Sequence, residues 1–512
     1  MKQQIAPKPY WTDSAALPAF PKLQRDENVD VVVVGAGITG LTTAYLLAKA
    51  GRTVTVLDRN DPVQGDTGYT SAHLTMVTDA WLSELVDRFG RDHAQAFWDA
   101  GLAAIARIDA IAREEDIACD FGWVPGYLHS PFGDPQGKPG KDVAEAFRQE
   151  AALAGDLGFD AAYLDNAPFA GGPGVGFENQ ARFHPRKYLA GVARAIAAAG
   201  GHICGHSAVE EFSDKPLSVK ANGHTISCRD IVLATHNPLM GNTGMASATL
   251  FQTKLALYST YVVAGRAPKG EVPDALFWDS ANPYHYLRIE PHADHDLVIF
   301  GGEDHKTGQA DDTSACYDRL ERKLTSLVPR INLTHRWSGQ VIETPDGLPY
   351  IGETAPHQFV ATGFSGNGLT FGTLSGMMAA DQILGRDNPW RELFDAGRTK
   401  IKGGAWNYVR ENKDYPYYLV RDRFAGAEGQ SLRAVKRGEG LIIERKGQKT
   451  AAFRDDDGSV TMVSAVCTHM GCLVDWNKAE RTWDCPCHGS RFMPDGSVIG
   501  GPAETPLPKV TD

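Results

Sequence analysis

Long apolar runs are missing from this chain of 512 residues. None reaches the roughly 20 residues that a membrane-spanning helix requires. Clusters of Lys and Arg are missing too, and 51 basic against 63 acidic residues leave a net charge of −12. That balance argues against nucleic acid as a partner. The opening, MKQQIAPKPYWTDSAALPAF, shows no uninterrupted apolar stretch, twin-arginine pair or small-residue cleavage site, so cytoplasmic residence is the expectation. Cysteine is scarce, eight in all. Cys119, Cys204, Cys228 and Cys316 are scattered and read as reduced thiols rather than a disulfide framework. The other four crowd into one window, Cys467 to Cys487. The length exceeds what a single core sustains, so two or three domains are expected.

What is present begins near the N-terminus. VDVVVVGAGITGLTTAYLLAKAGRTVTVLDRN reads as a β-branched strand, a glycine turn, an Ala/Leu-rich helix and a second strand ending at Asp58 and Arg59. Gly35, Gly37 and Gly40 form G-x-G-x-x-G, with Asp58 at the distance of a ribose-binding acid. The first glycine permits the turn, the second lets backbone N–H groups approach a pyrophosphate, and the third allows helix and strand to pack closely. Such a fingerprint suits the ADP half of NAD or of FAD. A second glycine turn, FVATGFSGNGLTFG with Gly363, Gly366 and Gly368, precedes a helix opening near Thr370 and is placed to cradle the far end of an extended dinucleotide. Asp230 to Pro238 reads as a further buried strand ending in a turn.

These motifs, together with TPDGLPYIG at Thr344 to Gly352, resemble in order and separation the FAD-dependent superfamily of D-amino-acid oxidase, glycine oxidase, sarcosine oxidase and dimethylglycine dehydrogenase. The resemblance covers about residues 27 to 395. It implies a doubly wound α/β FAD-binding domain interleaved with a substrate domain containing an antiparallel sheet. It also implies oxidation of a C–N bond, with hydride passing to the flavin. GGPGVG at Gly171 has no preceding strand and reads as a loop, which speaks against a second nucleotide site.

The family pattern breaks in two places. Amino-acid-oxidising relatives carry an Arg before the T-P-D-G motif that grips the substrate carboxylate, whereas Trp337-Ser338-Gly339-Gln340-Val341-Ile342 puts Val341 there. Valine cannot pair with a carboxylate. Either another cation substitutes, Arg288 being the nearest candidate, or the substrate is an amine without a carboxylate at that point. Arg288 also reads as a strand residue in a salt bridge. Tyr258, Tyr261, Tyr284 and Tyr286 suit either an aromatic amine pocket or ordinary sheet packing. Thr70-Ser71-Ala72-His73 resembles a segment of dimethylglycine dehydrogenase whose His is bonded covalently to flavin; a His73 that merely hydrogen-bonds near the flavin is the alternative. His73 and Glu343 are the titratable candidates for catalysis, beside Arg288 and Tyr286.

In CTHMGCLVDWNKAERTWDCPCHGS, Cys467-x-His469 and Cys485-x-x-His488 supply two thiolates and two imidazoles, a set that a zinc ribbon would also use. With Cys472 and Cys487 added, the window resembles the Rieske [2Fe–2S] domain. By that resemblance Cys467 and Cys485 bind one iron, His469 and His488 the other, Cys472 and Cys487 form a disulfide, and Gly501-Pro502-Ala503 is the covering proline loop. Imidazole in place of thiolate lifts the potential to roughly −150 to +300 mV. Ser490 matches a hydroxyl that raises it further, while Phe492 stands where high-potential members carry Tyr, so a middling potential is expected. The domain is expected to be small, all-β and to span 431–512. Before it lie an extension at 1–26, FAD segments at roughly 27–80, 180–245 and 335–395, substrate segments at 81–179 and 246–334, and an aromatic-rich packed connector at 396–430.

The expected protein is an amine dehydrogenase that passes hydride to FAD and then single electrons through the cluster to an external acceptor such as a ferredoxin, cytochrome or quinone-linked carrier. Three alternatives stand beside it. They are a reductase fed through the cluster, a redox relay without turnover, and a Rieske oxygenase with mononuclear iron near His292, His295, Glu303 and His305.

Overall fold

The computed structural model describes residues 5–133, 141–238, 255–310, 312–398, 432–445 and 447–510. The strand Val31–Val34 is four consecutive buried valines at the centre of a six-stranded sheet. It runs parallel to Val54–Leu57 on one side and Asp230–Leu233 on the other. His202–Cys204 and Gln358–Thr362 extend the parallel order outward, and Tyr350–Ala355 closes one edge antiparallel. Continuous β-branched runs fit here because a parallel sheet is covered on both faces.

The helix Ile38–Lys49 leaves the first strand directly. A methyl group on Gly40 would sit 1.9 Å from the Gly35 carbonyl oxygen, so only glycine permits this helix to lie so close to its strand. The helix Gly368–Ile383 packs across it by the same device. Cβ atoms at Gly372 and Gly376 would meet Ile38 and Thr42 at 2.6 and 2.8 Å. Both glycine motifs therefore converge on one end of the sheet.

A nine-stranded, mostly antiparallel sheet stands beside this layer, its strands drawn from His73–Leu74, Gly122–Arg182 and Ala256–Glu343. The strand Asn332–Glu343 pairs with Ala256–Pro268 along its whole length, so it belongs to this sheet throughout. The sequence-based division at 334/335 falls inside it. The N-terminal segment tucks beneath, with Trp11 fully buried and its indole N–H donating to the Thr70 carbonyl at 2.7 Å.

The C-terminal part holds two small antiparallel sheets. One contains Glu439–Arg445, Gln448–Arg454 and Val460–Ser464; the other contains Asp475–Asn477, Thr482–Asp484, Arg491–Phe492 and Val498–Gly500. Their shared core includes Val463, Cys467, Cys485, Trp483 and Phe492. Of the expected connector, Ala396 to Arg398 are described and Arg398 pairs with Asp346; the rest lies outside the described residues. Among the described residues no helix is long and apolar enough to cross a membrane.

Candidate active site and cluster centre

One cavity of about 1280 Å³ runs from the N-terminal glycine turn, between the two large sheets, to the C-terminal part. Such a volume exceeds the usual range for a drug-sized ligand and suits an extended dinucleotide together with a substrate. At one end lie Gly35, Gly37, Asp58 and Arg59. A side chain on Gly37 would come within 2.8 Å of Thr67 Oγ1, so backbone lines the channel there. Asp58 accepts from the Ala36 and Asn60 N–H groups at 2.8 and 2.9 Å, which fixes its carboxylate at the mouth of the turn. Burial pushes its pKa up. Arg59 donates to the Ile499 carbonyl at 2.5 Å, tying this end to the C-terminal part. Gly366 and Gly368 line the cavity from the second turn. Gly363 and Thr370 stand behind that wall, Thr370 Oγ1 donating to the Thr75 carbonyl at 3.2 Å.

His73, Ser71, Tyr284, Tyr286, Val341 and Glu343 all face the same cavity. Ser71 Oγ lies 3.0 Å from His73 Nδ1, and His73 Nε2 lies 3.3 Å from the Leu287 carbonyl. A carbonyl only accepts, so the proton sits on Nε2 and Nδ1 accepts from the serine. Desolvation, with the Arg288 cation nearby, holds His73 neutral by lowering its pKa to about 3. Tyr286 Oη bonds Thr260 Oγ1 at 2.8 Å. Tyr261 is instead buried against Tyr317 in the sheet core.

Arg288, a candidate for the missing carboxylate-binding cation, takes no place in the cavity wall. It is fully buried, ion-paired with Glu290, and donates to the Ala72 and Phe183 carbonyls at 2.6 and 3.2 Å. A buried guanidinium must have its donors met, and these partners consume them. Its effect on the site is indirect, since it anchors Ala72, which has a φ of +60°, next to His73. The residues of the oxygenase alternative do not converge either. His292 and His295 stack on each other beside Tyr10, Glu303 pairs with Arg319, and His305 stacks on Tyr261.

In the C-terminal part Cys467 and Cys485 are buried with their thiols adjoining, and the His469 and His488 rings lie 4.9 Å apart between centroids. Cys472 and Cys487 form a disulfide between the two ligand-bearing loops. The buried Ala503 N–H donates to Ser490 Oγ at 3.1 Å, so the proline loop closes over the thiol pair. Two thiols and two imidazoles converging from two clipped loops are a donor set that fits a [2Fe–2S] cluster with mixed ligands. Phe492 is wholly buried beside them.

The loop carrying Cys485 and His488 is pressed against the nine-stranded sheet. Gln340 Nε2 donates to the Gly489 carbonyl at 2.9 Å and to Thr307 Oγ1 at 3.1 Å, and Gln309 donates to the Pro486 carbonyl at 3.0 Å. Gly308, with a φ of +78°, brings its backbone so close to Pro486 that a Cβ would sit 2.7 Å from that nitrogen. Behind these, Thr313 donates to Asn477 at 2.8 Å and Tyr317 donates to Glu480. The cavity wall accordingly includes Gly501, Pro502 and Ala503.

Sequence reasoning passed over Gln340, Gly308, Asp79 and Asp304. Gln340 adjoins Val341 in sequence, and nothing local marks it as a contact to a distant loop. Asp79 accepts from Tyr284 Oη at 3.0 Å and from the Gly366 N–H at 2.9 Å. Asp304 lines the cavity through a β-bulge, which no periodicity announces.

Comparison with known proteins agrees with this geometry. The model of the family described as FAD dependent oxidoreductase matches residues 30–382, and that of the Rieske [2Fe-2S] domain matches residues 430–511. The chain is 31% identical over 512 residues to YhfW of Bacillus subtilis, whose name describes a Rieske 2Fe-2S iron-sulfur protein, covering 99% of this chain and 98% of that one. Its C-terminal part is 44% identical over 75 residues to the chloroplastic cytochrome b6-f complex iron-sulfur subunit of Bigelowiella natans, 14% of this chain and 30% of that protein. The fold is similar to glycine oxidase from Geobacillus kaustophilus, with a TM-score of 0.61 at 18% identity over 73% of this chain and all of the other. The chain belongs to the FAD-dependent oxidoreductase family and carries a Rieske domain behind that unit, so FAD and a [2Fe-2S] cluster are its cofactors.

Proposed function

We propose that the protein oxidises the C–N bond of an amine or N-methylated amine and delivers the electrons one at a time to an external carrier. When bound, FAD supplies a two-electron acceptor for the hydride on the carbon beside nitrogen, and the cluster supplies a one-electron outlet. The observation that carries this reading is the docking of the Cys485–His488 loop on the substrate sheet, through Gln340, Gln309 and Gly308. It sets the cluster loops against the same body that holds the cavity, so transfer within one chain needs no large movement.

The chain's own residues prepare the substrate. Tyr284 and Tyr286 offer aromatic faces to an amine. His73, neutral and held at both ring nitrogens, presents a fixed polar edge without adding positive charge. Val341 leaves no guanidinium for a carboxylate. In the reading's terms the cluster ligands are Cys467, His469, Cys485 and His488, and the outlet serves a ferredoxin, cytochrome or quinone-linked carrier.

The test is anaerobic mixing of the purified protein with primary, secondary and N-methylated amines, following flavin bleaching and the low-temperature EPR signal of the reduced cluster. Bleaching by an amine, followed by the cluster signal, supports the reading. If no amine acts, yet dithionite or a reduced ferredoxin fills the cluster and then the flavin, electrons run the other way and the substrate is an electrophile.

A further inference from the structure

The strand His295–Lys306 breaks its register with Ala256–Pro268 at one point. Ser259 faces His305 and Tyr261 faces Gly302, so Thr260 alone opposes both Glu303 and Asp304. This is a β-bulge, a device that redirects side chains near active sites. Glu303, at a φ of +62°, turns away to bond Arg319. Asp304 turns the other way and lines the cavity beside Thr260, Tyr284, Tyr286 and Asp79.

The two buried carboxylates there differ. Both oxygens of Asp79 already accept hydrogen bonds, from Tyr284 and the Gly366 N–H. Thr260 hydrogen-bonds the Asp304 carboxylate, yet Asp304 Oδ1 is screened from solvent and has no partner of its own. A buried acceptor without a donor is rare enough to mark a place where something else supplies one. Burial, more than the neighbouring Asp79 and Glu303 charges, raises the Asp304 pKa to about 7, which lets the carboxylate hold a proton near neutral pH.

Charge along the whole cavity, with Asp79 and Glu303 the acids acting on Asp304 itself, points to the ligand. Twelve Asp and Glu residues line the cavity, against two arginines and no lysine among the described residues. Both arginines are engaged, Arg59 with the Ile499 carbonyl and Arg491 with Asp484. Resting on the amine-oxidation reading above, we propose that Asp304 receives the substrate's ammonium group and takes its proton, and that the substrates are amines bearing no carboxylate. In that step an N–H bond breaks, an O–H bond forms at Oδ1, and the electron pair stays on nitrogen, leaving the neutral amine that hydride loss requires. A substrate carboxylate would meet Asp304 and Asp79 with no unengaged arginine or lysine among the described residues of the wall to offset them.

The experiment uses the holoprotein and ligands that cannot react. α,α-Dimethylalkylamines carry no hydrogen on the carbon beside nitrogen, and α,α-dimethyl amino acids are the same compounds with a carboxylate. Each is titrated while the flavin absorption band is followed, in the natural protein and in Asp304→Asn and Asp79→Asn. The expected result is saturable binding of the amines, at least tenfold weaker binding of the amino acids, and a loss of at least tenfold in amine affinity in Asp304→Asn alone. Equal affinity in Asp304→Asn, the loss appearing in Asp79→Asn instead, preferred binding of the amino acids, or no binding of either would overturn the proposal. Melting curves show that each variant is folded, and Asp304→Ser repeats the test if the asparagine variant is not. If these ligands bind as expected while no oxidisable amine bleaches the flavin, the oxidation reading fails and the ammonium site stands.

Discussion

At the scale of single residues, His73 and Asp304 both line the cavity, and burial affects them in opposite ways. Each is held towards its neutral form, the imidazole without its extra proton and the carboxyl with its own. Both ring nitrogens of His73 are engaged, by Ser71 and by the Leu287 carbonyl, so neither is free to form a bond to flavin. Acid precipitation is therefore expected to leave the yellow colour in the supernatant, and flavin retained in the pellet would refute this. Asp304 makes a prediction about pH. Its folded pKa of about 7 lies above the unfolded value of about 4, so between those limits the folded chain binds the extra proton. Its contribution to stability is full at low pH and is lost as pH rises through about 7. Asp304→Asn is expected to raise the melting temperature at pH 8 by about 2–4 °C, with little gain at pH 4. Amine affinity is expected to change in the opposite sense, increasing as Asp304 ionises. Thr260, Tyr284, Tyr286, Asp79 and Glu303 are the polar and charged groups around it, and of these the two acids share its sign.

At the scale of elements, the bulge at Glu303 and Asp304 and the turn at Gly308 are two departures from regular structure on the same stretch of chain. The bulge equips the cavity, while the turn receives the cluster loop. Gly308→Ala would bring a methyl group against the backbone of Cys485 and Pro486 and would also place a side chain at positive φ. Backbone atoms in a disulfide-clipped loop cannot move aside, so the loop must lift away. Gln340→Ala takes the side-chain donor from the Gly489 carbonyl, while Thr307 keeps Ser259 as a partner, at a cost of about 1–3 kcal/mol. Both variants are expected to slow the appearance of the cluster EPR signal after flavin reduction in rapid freeze-quench measurements, leaving the bleaching step within about twofold of its natural rate, since neither residue is among the polar and charged groups around Asp304.

At the scale of the whole molecule, the proposed function divides two-electron chemistry at one site from one-electron transfer at another, and the two parts pack against each other. Cys485→Ser removes a proposed cluster ligand that is not itself part of the cavity wall holding His73 and Asp304. It is expected to abolish the cluster signal and to lower turnover with a one-electron acceptor by about a hundredfold or more, while amine-driven bleaching in a single anaerobic mixing continues. Bleaching lost together with the cluster signal would mean that the cluster part also holds the cavity in shape. The Arg59 bond to the Ile499 carbonyl, together with the Gln340 and Gln309 contacts, would then carry the effect.

Much of this was legible in the amino-acid sequence because it is local. Gly35, Gly37, Gly40 and Asp58 fall within one strand, turn, helix and strand. The four proposed cluster ligands and the two disulfide cysteines fall within two short loops, where spacing along the chain nearly fixes spacing in space. The absence of the carboxylate-binding Arg at Val341 was likewise a matter of reading one position. The tertiary structure decided what depends on residues far apart. Arg288 went to Glu290 and the Ala72 carbonyl rather than to the cavity, because a guanidinium inside a sheet is held by whichever acceptors pack around it. Asp304 entered the site because one extra residue in a strand turned it inward, and a bulge shows only when two strands are paired. The docking of the cluster loop joins Gln340 to Gly489. No local pattern encodes such a pairing, since it exists only once both parts have folded.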